Sequence, residues 1–431
     1  MNSVNVGLIG FGTIGSGVVK VFKKRSLAIA KKLGIKLNLK YVCDQDISSD
    51  RGVTVNPKVL VTDVNKILED DDIKIVVELI GGIHPAKEFI LKALNNKKYV
   101  VTANKALLAE NGEEIFKAAE KNNVDVYFEA SVGGGIPIIK SLREGLVASQ
   151  VQNIFGIING TSNYILSQMS LKGCDFKTAL REAQSKGYAE KDPKLDINGM
   201  DSAHKIAILA RICFNYKVSF KDIYVEGIEE ISLSDIKYAD ELGYCVKLLA
   251  IAKKSGEKVE IRVHPTLLPK KHLLSNVNGV FNAIFINSDL VGEMLFYGPG
   301  AGQMPTASAV MSDIVEIAQK ITNPQAVNLL AIKNGQRSSR MCSIDNIETR
   351  YYLRFLALDE PGVLSKVSEI LGKQKISIYN VIQKGRRQAQ AVPIVMMVHE
   401  AKEKNLRKAL SQIDKLPIIK RKTVAIRVER G

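Results

Sequence analysis

Cysteine is scarce in this chain of 431 residues, and its five cysteines never form a C-x-x-C pair. They are odd in number and far apart in the sequence: Cys43, Cys174, Cys213, Cys245 and Cys342. Scattered cysteines of this kind argue against a zinc site and predict free thiols in a reducing compartment. We therefore expect a cytoplasmic protein.

Other common features are also missing. The sequence has no apolar run long enough to cross a bilayer, and Val4–Ile9 leads directly into a glycine loop, which argues against a signal peptide. The formal net charge is +16, yet we find no Cys/His finger and no aromatic RNA-binding signature. We expect neither a membrane nor a nucleic acid as partner. The charge is either a solvated lysine-rich surface or a field that attracts anionic ligands.

The chain is too long for one ordinary core, so two or three domains are expected. The first 130 residues alternate β-rich runs with helical ones. The predicted strands are Val4–Ile9, Leu37–Val42, Ile75–Leu79, Tyr99–Thr102 and Val126–Phe128. The predicted helices are Gly15–Leu33, Pro85–Asn95 and Gly112–Asn122. Such alternation predicts an α/β fold, with a doubly wound parallel sheet of the Rossmann type.

Two further regions differ in pattern. Residues 131–322 indicate a central α+β domain for catalysis or dimerisation, and part of 300–322 is expected to pack back on domain 1–130. Residues 323–346 predict a connection with some structure around Val327–Ile332. Residues 347–431 have the order βαββαβ, which predicts a ferredoxin-like domain.

The glycine loop has the spacing G-x-G-x-x-G between a predicted strand and a predicted helix. Gly10 permits a tight turn, Gly12 lets the backbone approach a pyrophosphate, and Gly15 lets the helix pack on the strand. Thr13 and Ile14 stand at the helix start, where N–H groups can bind phosphate. The loop predicts a dinucleotide site; a glycine turn that serves another ligand is the alternative.

Cofactor choice depends on the end of the second strand, where Asp44 lies 29 residues after Gly15. An acid there accepts the ribose 2′-OH of NAD, whereas a nearby basic residue accommodates the 2′-phosphate of NADP. Arg51 and Lys58 are the nearest basic candidates. We expect NAD to be preferred and NADP tolerated.

An acidic and basic cluster follows in the central region. Asp201 and Lys205 are four residues apart at a predicted helix start, hence on one face. Glu190, Asp192 and Asp196 crowd the preceding loop. In a cleft, such a cluster can bind an ammonium group and keep a lysine charged; the alternative is a solvated acidic loop.

Three stretches, Val101–Ala109, Asn159–Leu166 and Gly187–Lys205, closely resemble homoserine dehydrogenase, and the resemblance spans about residues 1–322. It implies an oxidoreductase that interconverts aspartate semialdehyde and homoserine with NAD or NADP. An aspartate dehydrogenase or similar enzyme would lack the acids and lysine of the third stretch. A non-catalytic sensor is disfavoured by the same intact residues.

The resemblance implies a role for each polar residue. Lys205 corresponds to the proton donor to the carbonyl oxygen, and Lys105 to a second catalytic lysine near substrate and nicotinamide. Glu190 corresponds to the residue that binds the substrate's α-amino group, with Asp196 and Asp201 supporting that site.

Further matches concern the cofactor and an ion. Thr102 and Gly302 are expected beside the cofactor, although from the residues alone Gly302 belongs to a loop before a helix. In relatives, the turn at residues 129–137 holds a monovalent cation such as Na⁺ or K⁺. The implied ligands are Glu129 and the carbonyls of Val132, Gly134 and Ile136; a glycine turn without an ion is the alternative.

The C-terminal segment Leu358–Val367 resembles the first loop and helix of an ACT domain. ACT domains pair and bind an amino acid near this loop, so the resemblance implies a homo-oligomer (dimer or tetramer) and threonine as effector. The implied regulatory residues are Asp359, Gly362 and Asn380. An ACT domain that only assembles subunits is the alternative.

Overall fold

The structure is a computed structural model that describes residues 2–216, 218–323, 340–384 and 390–430. The predicted structure around Val327–Ile332 lies outside the described residues. The strands are, in chain order, β1 (Asn2–Ile9), β2 (Ile35–Cys43), β3 (Leu60–Val61), β4 (Ile73–Glu78), β5 (Tyr99–Thr102), β6 (Val126–Tyr127), β7 (Val151–Ile157), β8 (Tyr224–Val225), β9 (Tyr244–Ser255), β10 (Lys258–Pro269), β11 (Phe281–Ser288), β12 (Gly292–Pro299), β13 (Arg340–Met341), β14 (Glu348–Leu358), β15 (Ile378–Gln383), β16 (Ala391–Lys402) and β17 (Ile419–Val428).

The helices connect these strands. They are α1 (Thr13–Leu33), α2 (Asn65–Leu68), α3 (Ala86–Asn95), α4 (Lys105–Lys121), α5 (Ile138–Lys140), α6 (Gly160–Lys172), α7 (Phe176–Ser185), α8 (Lys194–Ile197), α9 (Met200–Phe214), α10 (Leu233–Glu241), α11 (Gln303–Thr322), α12 (Val363–Lys373) and α13 (Glu403–Ile413). The chain forms two compact units. Unit 1 comprises Met1–Ile154, Ala203–Lys221 and Asn282–Ser339, and unit 2 comprises Phe155–Ser202, Asp222–Phe281 and Arg340–Gly431.

Unit 1 contains a parallel sheet with the strand order β3-β2-β1-β4-β5-β6. Its strands are rich in Val and Ile, and residues such as Val6 and Val77 are fully buried, as expected for a sheet covered on both faces. On one face, α1 contributes Val18 and Phe22 to the same core as Val310 of α11. The predicted Rossmann-type sheet is confirmed.

One predicted helix begins earlier than expected. The sequence pattern places its start at Gly112, whereas α4 begins at Lys105. The side chain of Asn104 accepts a hydrogen bond from the N–H of Leu107 at 3.2 Å, which caps the helix at that point. The helix then passes through Gly112 without a break, so Lys105 occupies its first position.

Unit 2 contains a mixed sheet in which β9, β10, β17, β14, β16 and β15 are neighbours in that order. Strand β10 pairs antiparallel with β9 and parallel with β17, and β17 pairs antiparallel with β14. The C-terminal order β14-α12-β15-β16-α13-β17 confirms the predicted βαββαβ domain. Its core brings Phe355 and Ile394 of the sheet together with Val367 and Leu406 of the two helices.

Candidate active site

The glycine loop of unit 1 has the geometry of a phosphate-binding turn. Gly10 has φ +100°, and a Cβ there would lie 2.7 Å from the carbonyl carbon of Leu79. A Cβ on Gly15 would lie 2.0 Å from the carbonyl oxygen of Gly10. By contrast, a Cβ on Gly12 would meet nothing within 4 Å, so the backbone there faces open space. Gly12 caps α1 without a side-chain hydrogen bond, which leaves the first-turn N–H groups of Thr13 and Ile14 suited to an anion.

Asp44 lies at the end of β2, directly beside this loop. Its Oδ2 accepts a hydrogen bond from the N–H of Phe11 at 2.5 Å, and its Oδ1 accepts one from the N–H of Asp46 at 3.0 Å. Arg51 donates from Nη2 to Oδ2 of Asp46 at 2.9 Å. Asp44 is therefore placed against the glycine loop, while Arg51 is engaged by a different carboxylate.

A buried acid that sequence analysis missed connects two loops of unit 1. Glu78, at the end of β4, is fully buried and accepts from the hydroxyl of Thr102 at 2.7 Å and from the N–H of Ile80 at 2.8 Å. Burial raises the pKa of this carboxyl, and these hydrogen bonds oppose the rise. Thr102 in turn accepts from the N–H of Asn104 at 3.0 Å. The loop that leads from β5 to Lys105, the first residue of α4, is thus bonded to the end of the adjacent strand β4.

The glycine-rich loop before α11 reaches the same region of unit 1. Gly302 caps α11 at φ +120°. The next side chain, Gln303, donates from Nε2 to the carbonyl of Thr13 at 2.9 Å and to the hydroxyl of Ser16 at 3.0 Å. A Cβ on Gly17 would lie 2.7 Å from Cγ of Gln303. The structure therefore brings Gly302 close to the start of α1.

The predicted cation turn also lies in unit 1. Both oxygens of the Glu129 carboxylate accept backbone hydrogen bonds, from Ile139 at 2.8 Å and from Lys140 at 2.7 Å. Gly134 has φ +56°, and a Cβ there would lie 2.6 Å from the carbonyl carbon of Gly300. The carbonyl of Ile136 accepts from the N–H of the residue two positions later. The Glu129 carboxylate thus secures the chain that follows the turn.

Three of the acidic residues predicted to bind substrate lie in unit 2, and Asn159 forms hydrogen bonds with two of them. Nδ2 of Asn159 donates to Oδ1 of Asp196 at 2.7 Å and to Oδ2 of Asp201 at 2.9 Å. Its Oδ1 accepts from the N–H of Ser162 at 2.8 Å and caps α6, which fixes the direction of the amide. Glu190 is exposed, and its backbone carbonyl accepts from Gln184. Asn159 belongs to the stretch Asn159–Leu166, which resembles homoserine dehydrogenase, but its hydrogen bonds to the two aspartates could not be predicted from that stretch.

Helix α9 carries the remaining catalytic candidate. Asp201 lies in its first turn, and Lys205 lies four residues later and is 8% exposed. The neighbouring His204 bonds from Nε2 to Oε1 of Glu110 at 3.1 Å, and its ring stacks on Phe220 with centroids 4.5 Å apart. A buried lysine one helical turn from a carboxylate can hold and deliver a proton.

The loop before α12 carries two of the predicted regulatory residues, Asp359 and Gly362. Gly362 has φ +86° and caps α12 without a side-chain hydrogen bond. Oδ1 of Asp359 accepts from Nε2 of Gln383 at 3.2 Å. Gln383 lies on β15, the strand that also carries Asn380, whose side chain is exposed. The three predicted regulatory residues therefore lie around one loop and one adjacent strand.

Within the described ranges, no group of three or more His, Cys, Asp or Glu side chains is arranged to hold a metal ion. No helix in the described part of the chain is both long and apolar enough to span a membrane.

Comparison with known proteins gives consistent matches along the chain. Residues 10–129 match the family model "Homoserine dehydrogenase, NAD binding domain", residues 137–315 match "Homoserine dehydrogenase", and residues 351–418 match "ACT domain". A homoserine dehydrogenase of Neisseria gonorrhoeae is 46% identical over 433 residues, covering 100% of this chain and 99% of the relative.

Solved structures agree with these matches. The crystal structure of a homoserine dehydrogenase from Thiobacillus denitrificans superposes with a TM-score of 0.95 at 42% identity, covering 100% of this chain and 99% of that one. A hyperthermophilic archaeal homoserine dehydrogenase in complex with NADPH superposes with a TM-score of 0.63 at 28% identity, covering 75% and 99% of the two chains.

Proposed function

The chain belongs to the homoserine dehydrogenase family of oxidoreductases, and from this premise we propose that it interconverts L-aspartate 4-semialdehyde and L-homoserine in the cytoplasm. This reaction would serve threonine, methionine and isoleucine biosynthesis. The observation that carries the proposal is the amide of Asn159, which joins Asp201, at the start of the helix that bears Lys205, to Asp196 on the short helix before it.

We assign Lys205 as the residue that donates a proton to the substrate's carbonyl oxygen. Its burial supports this role, because a cation in a site with little water stabilises charge that develops on oxygen more strongly than an exposed one. Lys105 is assigned as the second catalytic lysine, and the hydrogen bond between Glu78 and Thr102 supports its placement after β5. The bound nicotinamide supplies or accepts the hydride.

Substrate binding is assigned to the acids of unit 2. Glu190 binds the α-ammonium group, and Asp196 and Asp201 support the polar site. The shared amide of Asn159 supports this assignment, since it holds two carboxylates in fixed directions without neutralising their charge. An ammonium group is the chemistry that two such carboxylates recognise.

The proposed cofactor is NAD, with NADP accepted. Gly10, Gly12, Thr13, Ile14 and Gly15 would hold the pyrophosphate, and the open space at Gly12 fits this group. Asp44 favours a ribose 2′-OH over a 2′-phosphate, whereas the archaeal relative was solved with NADPH. Thr102 and Gly302 would complete the nucleotide site.

The turn at 129–137 is proposed to bind Na⁺ or K⁺. Its oxygen-only donors, which are Glu129 and the carbonyls of Val132, Gly134 and Ile136, suit a hard monovalent cation. Two lone pairs of the Glu129 carboxylate are used by backbone N–H groups, so its remaining lone pairs or its backbone carbonyl would contact the ion.

The C-terminal module, residues 347–431, is proposed to sense threonine around Asp359, Gly362 and Asn380. The other proposed domains are 1–130 for the dinucleotide and 131–322 for catalysis and dimerisation, with a connection at 323–346. We further propose a homo-oligomer, either a dimer or a tetramer. The contact of Gln383 with Asp359 supports a single ligand site formed by loop and strand.

The test is an assay of homoserine oxidation with NAD and with NADP, each repeated with threonine. We expect turnover with both cofactors and inhibition by threonine in roughly the millimolar range, because an effector must bind one state of the enzyme better than another. Asp359→Ala and Asn380→Ala should reduce inhibition while sparing kcat, whereas Glu369→Gln on the exposed face of α12 should change neither. Absence of homoserine oxidation would refute the activity, and no heat of threonine binding would refute the sensing role.

A further inference from the structure

A buried arginine of the C-terminal module is held firmly by a carboxylate of the same module. Arg427 on β17 donates from Nε to Oε2 of Glu403 at 2.9 Å and from Nη2 to Oε1 at 2.6 Å. The hydroxyl of Tyr351 donates to Oε2 of Glu403 at 2.8 Å. Each of these side chains is nearly inaccessible to solvent. A bidentate pair has a fixed fork geometry, so the guanidinium has little freedom to move.

The third nitrogen of the Arg427 guanidinium, Nη1, forms a hydrogen bond with Glu226, which lies outside the C-terminal module. Nη1 of Arg427 donates to Oε2 of Glu226 at 2.8 Å, and the hydroxyl of Tyr224 donates to the same oxygen at 2.8 Å. The backbone N–H of Glu226 donates to the carbonyl of Val263 on β10 at 2.8 Å. Glu226 is therefore fixed twice, by the module through its side chain and by the sheet through its backbone.

The two residues after Glu226 touch the turn that follows Asp196. The N–H of Ile228 donates to the carbonyl of Ile197 at 2.9 Å. A Cβ on Gly227 would lie 2.4 Å from that same carbonyl oxygen, so only glycine permits this approach. The backbone next to Glu226 is thus in direct contact with the backbone next to Asp196.

We propose that Glu226 is a positioning residue for the substrate acids. Its ion pair with Arg427 holds the backbone contact at Gly227, and this contact keeps Asp196 directed toward the amide of Asn159. The C-terminal module therefore contributes to amino-acid binding through one ion pair, without touching the substrate and without any effector. The inference rests on the proposed role of Asp196 in substrate binding.

The test uses the full-length protein and compares Glu226→Ala with Glu226→Gln. We expect Glu226→Ala to raise the KM and the directly measured Kd of homoserine about 5- to 10-fold, with kcat and the KM of NAD within about twofold, because uniform substrate binding is lost. Glu226→Gln keeps an acceptor oxygen for Arg427 and should show a smaller rise. The matched control is Glu400→Ala, which removes another carboxylate that accepts from an arginine of the module at 2.8 Å, that of Arg350.

Each outcome decides the matter. A homoserine KM and Kd within twofold of wild type in Glu226→Ala overturn the inference, as do equal losses in kcat and in both KM values, which indicate general damage. Asp196→Asn tests the substrate site separately. If Asp196→Asn leaves homoserine binding unchanged, the proposed site fails. A rise in Glu226→Ala alone then overturns the inference too, because the effect does not pass through Asp196.

Discussion

Asn159 donates a hydrogen bond of 2.9 Å to Asp201, although 42 residues separate them in the chain. The same nitrogen donates to Asp196, and the amide oxygen caps α6. One side chain therefore both starts a helix and fixes the spacing of two like charges. Its loss should affect substrate binding more than folding.

We expect Asn159→Ala to raise the homoserine KM by roughly tenfold and to destabilise the protein by about 1 kcal/mol, the usual cost of a lost helix cap. Asp175→Ala is the matched control, because Asp175 is an exposed residue that caps α7 by accepting from the N–H of Thr178 at 2.7 Å. Steady-state kinetics and urea unfolding of both variants provide the comparison. Equal KM values in the two variants would show that Asn159 is only a cap.

The two proposed catalytic lysines should be essential for turnover. Lys205→Ala and Lys105→Ala are each expected to lower kcat by at least about 10²-fold, because a positioned proton donor and a stabilising cation are removed. Lys117→Ala, on the same helix as Lys105 and paired with Glu113 on the surface, is the control. Near wild-type turnover in both purified lysine variants would contradict their assignment.

Cofactor preference should depend on the charge of Asp44. We expect kcat/KM to favour NAD, and Asp44→Asn to shift the ratio toward NADP by about tenfold, or about 1.4 kcal/mol. Asparagine keeps an oxygen that can accept from the N–H of Phe11, so the loop should survive. Asp63→Asn serves as control on a nearby exposed loop. A wild-type preference for NADP of tenfold or more would refute our interpretation.

Glu129 should make stability depend on pH. Burial raises its pKa from 4.5 to about 7, despite the backbone donors at Ile139 and Lys140. Between these values the folded protein retains a proton that the unfolded chain has lost, so this group's contribution to stability falls as the pH rises. Relative to Glu129→Gln, and in a buffer without Na⁺ or K⁺ so that the proposed cation does not oppose the rise, the wild type should lose up to about 3 kcal/mol between pH 4.5 and 7. Urea unfolding at several pH values checks this, with Glu144→Gln as control; parallel curves for wild type and Glu129→Gln would contradict it.

Most strands and helices could be predicted from local sequence patterns, whereas the features that were missed depend on contacts between residues far apart in the chain. The strand at Tyr99–Thr102 has the predicted bounds, because a short β-branched run between loops needs no partner to be recognised. Helix α6 was not predicted, since its first turns bury polar side chains such as Ser162 and Asn163 and lack apolar periodicity. The roles of Glu78 and Asn159 could not be predicted from the sequence, because their hydrogen-bond partners lie 24 to 42 residues away in the chain.

Strand β17 pairs with β14 of the C-terminal module on one side and with β10 on the other. Shortening the chain before β14 would remove the pairing of β10 with β17 at Thr266 and Leu267. This part of the β10 edge would then be open to pairing with other chains. The same truncation would also remove Glu429, one of the two carboxylates that hold the buried guanidinium of Arg262. The proposed threonine response is therefore better removed by single substitutions near Asp359 than by shortening the polypeptide.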